Sequence, residues 1–386
     1  MEQSQCRAAF DRCLPYLENT MSKMPNPPSE YAACEDGYYF RNPAYLPFSH
    51  IGTWMVSFFT GEGLLAWRRK GEERYLKWAE GFAEAYRRKL TDTPEDTMHD
   101  VGFLYVLYAV GLYRETGKET YREMAVKAAE ILLGRFDTEA EFIRAWGRMD
   151  VKEHHSAGLA IIDCMMNLSL LFFAWRETGK EVFRETAMRH ADRTAECFIR
   201  PDGSVCHGYQ YREAGGVPVG EVNHCGFGKG SFWARGLAWA VFGYGNCYRH
   251  TKKPMYLELA RKLADRFLEE TAAAEQTLCP GGRRDNLVPP WDFRLPEGAE
   301  KWRDSSAAAI AACGFDEIFR ACGENRYREA GERILEALSG PEYMNPDKNS
   351  SGILLHSNGR EHCTSFGDYF YMEALLRYGQ GFEGYW

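Results

Sequence analysis

Five times along the chain, an aromatic residue followed by an arginine leads through a short polar step into an amphipathic run. The five copies are WRRKGEERYLKWAEGFAE from Trp67, YRETGKETYREMAVKAAE from Tyr113, WRETGKEVFRETAMRHAD from Trp175, YRHTKKPMYLELARKLAD from Tyr248 and FRACGENRYREAGERILE from Phe319. The unit is constant while the spacer varies, so loops rather than helices absorb the differences. Each unit reads as a helix pair. The half before the shared motif is apolar on nearly every side: VGFLYVLYAVGLY, IIDCMMNLSLLFFAW, GLAWAVFGYGNCY and SSAAAIAACGFDEIF. A helix apolar all round is buried all round. The half after it is amphipathic, with Tyr121, Met124, Ala125, Ala128, Ile131 and Leu132 at i, i+3, i+4, i+7 spacing in the second unit. Gly117 and Gly179 stand where a left-handed C-cap is expected, which makes the turn between halves short.

The two ends of the chain supply a sixth pair. GDYFYMEALLRYGQ reads as an inner helix and CRAAFDRCLPYLENTM as its outer partner. Six pairs whose buried members face one axis close into an all-α (α/α)6 barrel, a single domain over residues 1–386. An open helical solenoid is the alternative, and terminal halves that complete one another favour closure.

This topology limits where a site can be. Inner-to-outer turns are short and share one end of the barrel. The long outer-to-inner connections, 136–162, 201–234, 271–303 and 341–366, share the other, where the inner helices begin. Loops of this length in a compact domain are usually functional. Six helix N-termini at that end suit an anionic ligand.

The residues opening the inner helices are His99-Asp100, Asp163, Arg235, Asp304 and Asp368. Asp is a favoured N-cap residue, and capping suits Asp304 and Asp368 at least as well as a functional role. Asp163 follows Ile161-Ile162 and is expected to enter an apolar wall. A carboxylate there takes a raised pKa unless it is compensated, as a general acid requires. Arg235 opens another apolar helix and needs an anionic or carbonyl partner, either a ligand carboxylate or one of these acids. Trp239, one turn further on, is a stacking surface or a core residue. The long loops add Arg144, Trp146, His154, His155, His207, Tyr209, Tyr211, His224, Lys229 and Trp233. Aromatic, histidine and basic side chains over an acidic pit suggest a charged sugar, with loop packing as the plain alternative.

Composition narrows the class. A net charge of −8 argues against non-specific nucleic-acid binding. No stretch approaches the ~18 apolar residues of a membrane span, and the start lacks a signal-peptide pattern. The 12 cysteines form no CxxC and read as reduced thiols of a cytoplasmic protein. His154-His155, or His207 with the acids, is the only metal arrangement on offer. Without HExxH or a comparable spacing, no metal or cofactor is expected.

HDVGFLY, IRAWG, IIDCMMNLSLLFFA, the RGLAW helix, PPWDFRLPEGAEKWRDSSAAAIAACG and GDYFYMEALLRY, in this order, resemble the unsaturated glucuronyl hydrolases of glycoside hydrolase family 88. The resemblance implies a cytosolic (α/α)6 barrel acting on an unsaturated oligosaccharide, as monomer or homodimer, without cofactor. It implies that Asp163 is the catalytic acid/base and Asp100 the second acid. Substrate-site positions fall on His99, Trp146, His207, Arg235 and Trp239, with Trp54, His224 and Cys225 beside them. Cys225 stands where a glutamine is usual, and Phe366 where a tryptophan is usual. Ser357, Asn358, Arg360 and His362 are candidates for a sulfate on the leaving sugar, or a plain structural loop. Unsaturated rhamnogalacturonyl hydrolases and sugar epimerases on the same barrel are the competing readings.

Overall fold

A computed structural model of the chain describes residues 1–23, 33–35, 38–39, 54–92, 94–149, 156–212, 215–278, 286–358 and 362–386. Its helices are α1 (Gln3–Lys23), α2 (Val56–Lys70), α3 (Glu73–Glu80), α4 (Ala83–Asp92), α5 (Val101–Tyr105), α6 (Gly111–Thr116), α7 (Glu119–Leu133), α8 (Cys164–Thr178), α9 (Glu181–Phe198), α10 (Ala234–Thr251), α11 (Pro254–Leu278), α12 (Ser305–Cys322), α13 (Asn325–Leu338) and α14 (Ser365–Gln380). A π-helical turn, Val106–Val110, joins α5 to α6. The helices α2, α5–α6, α8, α10, α12 and α14 touch in that order, and α14 returns to α2, so the inner ring is closed. The amphipathic helices form the outer layer, α1 packing on α14. Arg7 Nη1 fastens that seam by donating to the Gly379 carbonyl at 2.9 Å. The (α/α)6 barrel read from the repeats is the fold observed.

The repeat motif ends each inner helix in the same way. The carbonyls of Trp67, Tyr113, Trp175, Tyr248 and Phe319 each accept the N–H of the residue four positions on, which is left-handed: Gly71, Gly117, Gly179, Lys252 and Gly323. Lys252, at φ 58°, is the one non-glycine residue in this set.

The loop end carries elements that periodicity did not disclose. Leu159–Ile161, Gly208–Tyr211 and Pro218–Val222 form a three-stranded antiparallel sheet, with Ile161 opposite Gly208. Helix α11 runs to Leu278, into the stretch expected to be loop from 271. Its TAAAEQ segment contains three alanines, the residue with the highest helix propensity. At the closed end, Trp386 lies within the inner ring, stacked on Phe370 at 5.6 Å and edge-on to Phe103 at 5.7 Å. The fully buried Arg377 is held by Glu373 at 2.7 Å, Glu317 at 2.8 Å and Asp316 at 3.2 Å. Removing one partner from so desolvated a cluster leaves an uncompensated charge.

Candidate active site

Asp163 sits where the strand Leu159–Ile161 passes into α8. It has helical dihedrals, φ −56° and ψ −26°, and its side chain makes no cap hydrogen bond. The carboxyl is 13% exposed, and Oδ2 has no hydrogen-bond partner. Burial pushes its pKa up to about 6; His99 and Arg235 pull it down, and Asp100 pushes it up. Asp163 therefore has the environment expected of a general acid.

His207 is placed by the same sheet. The N–H of Ile162 donates to the His207 carbonyl at 2.9 Å. The N–H of His224 donates to His207 Nδ1 at 3.0 Å. Nδ1 is thus the acceptor, which puts the proton of the neutral ring on Nε2. Nε2 lies 3.8 Å from Asp163 Oδ2, too far for a direct hydrogen bond. Burial, aided by His224, Arg235 and His99, holds the ring's pKa down at about 3. Gly208 follows it because a Cβ there would come 2.9 Å from the Val222 side chain and 3.2 Å from the Ala160 carbonyl.

The second acid arrives on α5. Asp100 is 16% exposed, and its Oδ1 lies 3.3 Å from Nε2 of the buried His99. It has the N-cap position but makes no cap bond. Gly102 and Asn167 bring α5 against α8. A Cβ on Gly102 would lie 2.4 Å from Asn167 Cβ. Asn167 Oδ1 accepts the Phe103 N–H at 2.7 Å. The two helices carrying the acids therefore meet backbone to side chain within one turn of both.

Around the acids stands an aromatic wall. The Arg235 guanidinium lies over Trp233 at 4.4 Å and Phe366 at 5.0 Å. Trp54 stacks on Phe366 at 5.2 Å. His207 is edge-on to Trp233 at 5.1 Å, and Trp146 to His224 at 4.9 Å. Phe366 thus occupies the position where a tryptophan was expected and still presents a ring to Arg235. Next to this wall opens a cleft of about 1080 Å³, lined by His224, Cys225, Arg235 and Asn358 among others. Cys225 is exposed on this cleft.

Several expectations are corrected or resolved. Arg235 Nη1 is already bound to Asp304 Oδ2 at 2.9 Å, so the acid partner was the right reading for that arm. Its Nε has no partner. Asp304 caps α12 through Ala307 N–H at 3.1 Å and accepts the Asn358 N–H at 3.1 Å. Asp368 is fully buried and accepts the N–H groups of Ile353 and Leu354 at 2.9 and 2.8 Å. Both acids are structural. Trp239 is fully buried, 5.4 Å from both Phe103 and Phe370. It is a core ring beneath the site rather than an exposed stacking face. Tyr211 is also core, stacked on Phe142 at 4.6 Å. Arg144 binds the Trp146 carbonyl at 3.1 Å within its own loop. Ser357 is buried against Thr364. His154, His155 and Arg360 lie outside the described residues. Among the described residues no three metal-ligating side chains converge.

Sequence reading missed Arg135. This buried side chain donates to the carbonyls of Thr97, Arg144, Ala145, Trp146 and Gly147. It ties the Trp146 loop to the residues just before His99. An arginine directly after the amphipathic run was its only signal.

The profile of Glycosyl Hydrolase Family 88 matches residues 48–246. An unsaturated chondroitin disaccharide hydrolase of Streptococcus pyogenes serotype M1 is 33% identical over 86% of this chain and 83% of its own length. An unsaturated glucuronyl hydrolase of Bacillus sp. (strain GL1) is 32% identical over 86% of this chain and 88% of its own. The crystal structure of unsaturated glucuronyl hydrolase from Bacillus sp. GL1 superposes with a TM-score of 0.86 at 28% identity, covering 98% of each chain.

Proposed function

This chain belongs to glycoside hydrolase family 88, and from that premise we propose that it removes a 4,5-unsaturated uronic acid from the non-reducing end of lyase-generated, glycosaminoglycan-type disaccharides. The observation that carries the reading is Asp163: a carboxyl with raised pKa, no cap role and an unpartnered oxygen, near enough to Asp100, at the start of another inner helix, for that charge to raise its pKa further.

The substrate carries a C4=C5 vinyl ether. Protonated Asp163 gives its proton to C4, and positive charge develops at C5, shared with the ring oxygen. Water adds at C5 and loses a proton to the Asp163 carboxylate, which restores the acid. The product is a hemiketal. It opens to a C5 ketone, leaving a C1 hemiacetal that expels the leaving sugar as an alcohol. Hydration of a double bond thus replaces attack at the anomeric carbon by a pair of carboxylates. Asp100, beside His99, accepts hydrogen bonds from the sugar hydroxyls. Neutral His207 offers its Nε2–H beside Asp163. Arg235, with Nη1 held by Asp304, presents its remaining edge to the uronate carboxylate. His224 and Cys225 line the adjoining cleft, with Trp146 edge-on to His224 and Trp54 behind Phe366.

No described helix is long and apolar enough to cross a membrane. Ten described cysteines are free thiols, which supports a cytoplasmic setting. The test of the reaction is loss of the vinyl ether's ultraviolet absorbance, with release of the second sugar seen by mass. A chain that leaves the absorbance unchanged on every lyase-generated disaccharide is not this hydrolase.

A further inference from the structure

We propose that Arg135 is a positioning residue of the reaction: its buried guanidinium sets where the His99-Asp100 pair stands, and it acts on turnover through Asp100. The inference deepens the hydrolase reading above and rests on it.

Arg135 follows α7 and is 1% exposed. Its side chain reaches five carbonyls: Nε donates to Arg144 at 2.8 Å, Nη1 to Thr97 at 2.5 Å, and Nη2 to Ala145, Trp146 and Gly147 at 3.3, 3.2 and 3.0 Å. These acceptors belong to two separate segments. Thr97 lies just before His99, and the others form the loop 144–147. The Ala145 carbonyl joins the two segments, because it also accepts the His99 N–H at 3.0 Å. The Ala145 N–H in turn donates to the Leu159 carbonyl at 2.8 Å, in the strand that leads to Asp163. One guanidinium therefore braces the backbone on which Asp100 starts and, through Ala145, the strand that delivers Asp163.

Tying two segments together does not by itself call for a cation, and burying one is costly. All of these acceptors are neutral, so carbonyl dipoles solvate the guanidinium without cancelling its charge. Burial pulls its pKa down to about 10 and Arg144 adds to the fall, while Asp100 opposes it; at neutral pH the group is a cation that Asp100 feels. In a buried setting such an attraction is screened far less than in water. Asp100 is thus held in two ways, by the hydrogen bonds behind its backbone and by an uncancelled positive charge. A carboxylate that has to meet sugar hydroxyls in one geometry gains from both. Lysine does not replace this residue, because three donors on one nitrogen cannot span what a planar fork spans.

Arg135→Lys keeps the charge and loses the fork, and a double-mutant cycle with Asp100→Asn tests the inference. The value of kcat/KM on an unsaturated disaccharide is measured for the parent, both single variants and the double variant, each shown to melt cooperatively. The expected result is a fall of about 10-fold or more for Arg135→Lys in the parent, but of less than about 3-fold in the Asp100→Asn background. An arginine that only holds the fold costs the same factor in both backgrounds. Equal factors, or parental kcat/KM in folded Arg135→Lys, overturns the inference while the hydrolase reading stands. Should Arg135→Lys not melt cooperatively, Arg135→Gln takes its place in the same cycle; if neither folds, Arg135 belongs to the fold alone and the inference is overturned. A parent that leaves the vinyl ether intact overturns both.

Discussion

The backbone N–H of His224 donates to Nδ1 of His207 at 3.0 Å, and this fixes which face of the imidazole meets Asp163. An Nε2–H that cannot switch places is a neutral donor, held neutral because burial keeps the ring's pKa near 3. Nitrogen-15 spectra of labelled protein should show His207 as the Nε2-protonated tautomer with no titration between pH 5 and pH 8. A ring that protonates in that window would remove it from this role.

The raised pKa of Asp163 sets the rate profile. The proton donor must be protonated in the free enzyme, so kcat/KM is highest below pH 6 and falls tenfold per unit well above it. Asp100 is one of the groups raising that pKa, so Asp100→Asn should move the falling limb to lower pH as well as weaken binding. A limb that stays in place would mean that the two carboxyls do not interact.

The same group makes a statement about stability. A carboxyl whose pKa is higher folded than unfolded holds its proton more tightly when folded. Its contribution is intact below about pH 4 and is lost as pH rises through about 6. The difference from its ordinary value of 3.8 corresponds to at most about 3 kcal/mol. Asp163→Asn should therefore be inactive yet more stable than the parent at pH 7.5, by roughly 1–3 kcal/mol, with the gain vanishing near pH 4. Denaturant melts at the two pH values check this. Equal stability at both would show that the carboxylate is not desolvated.

Gly102 and Asn167 hold the two acidic helices together, so the contact should matter beyond packing. Gly102→Ala places a Cβ 2.4 Å from Asn167 Cβ and must force α5 away from α8. Overpacking of this kind costs about 1–3 kcal/mol. We expect kcat to fall by at least tenfold in a variant that still melts cooperatively. Full kcat in a folded Gly102→Ala protein would show that the separation of the helices is not critical.

Arg235→Lys replaces a fork by a point charge and gives up the stacking on Trp233 and Phe366. The expected effect is a KM raised tenfold or more with kcat changed less. An unchanged KM would assign Arg235 wholly to Asp304.

The barrel was legible because an all-apolar helix followed by an amphipathic one is a local pattern, repeated. The caps were legible where glycine marks them, as at Gly117 and Gly179, and silent at Lys252. The sorting of the acids was only half visible. Asp163 stood out against Ile161-Ile162, but Asp368 is structural because it meets Ile353 and Leu354, and Asp304 because it meets Asn358 and Arg235. Those partners come from other loops, and no spacing in the chain announces them. The small sheet that joins Ile162 to His207 is likewise a non-local pairing. Trp239 shows the opposite error: helical spacing put it on the right face, but depth in the ring decides whether a face reaches solvent.

The most direct test of the central claim pairs the parent protein with Asp163→Asn on an unsulfated unsaturated disaccharide. The account predicts steady loss of vinyl-ether absorbance with the parent and a rate lower by ~10²–10⁴-fold or more with the variant, whose fold is intact by circular dichroism. Turnover by folded Asp163→Asn within tenfold of the parent would contradict it.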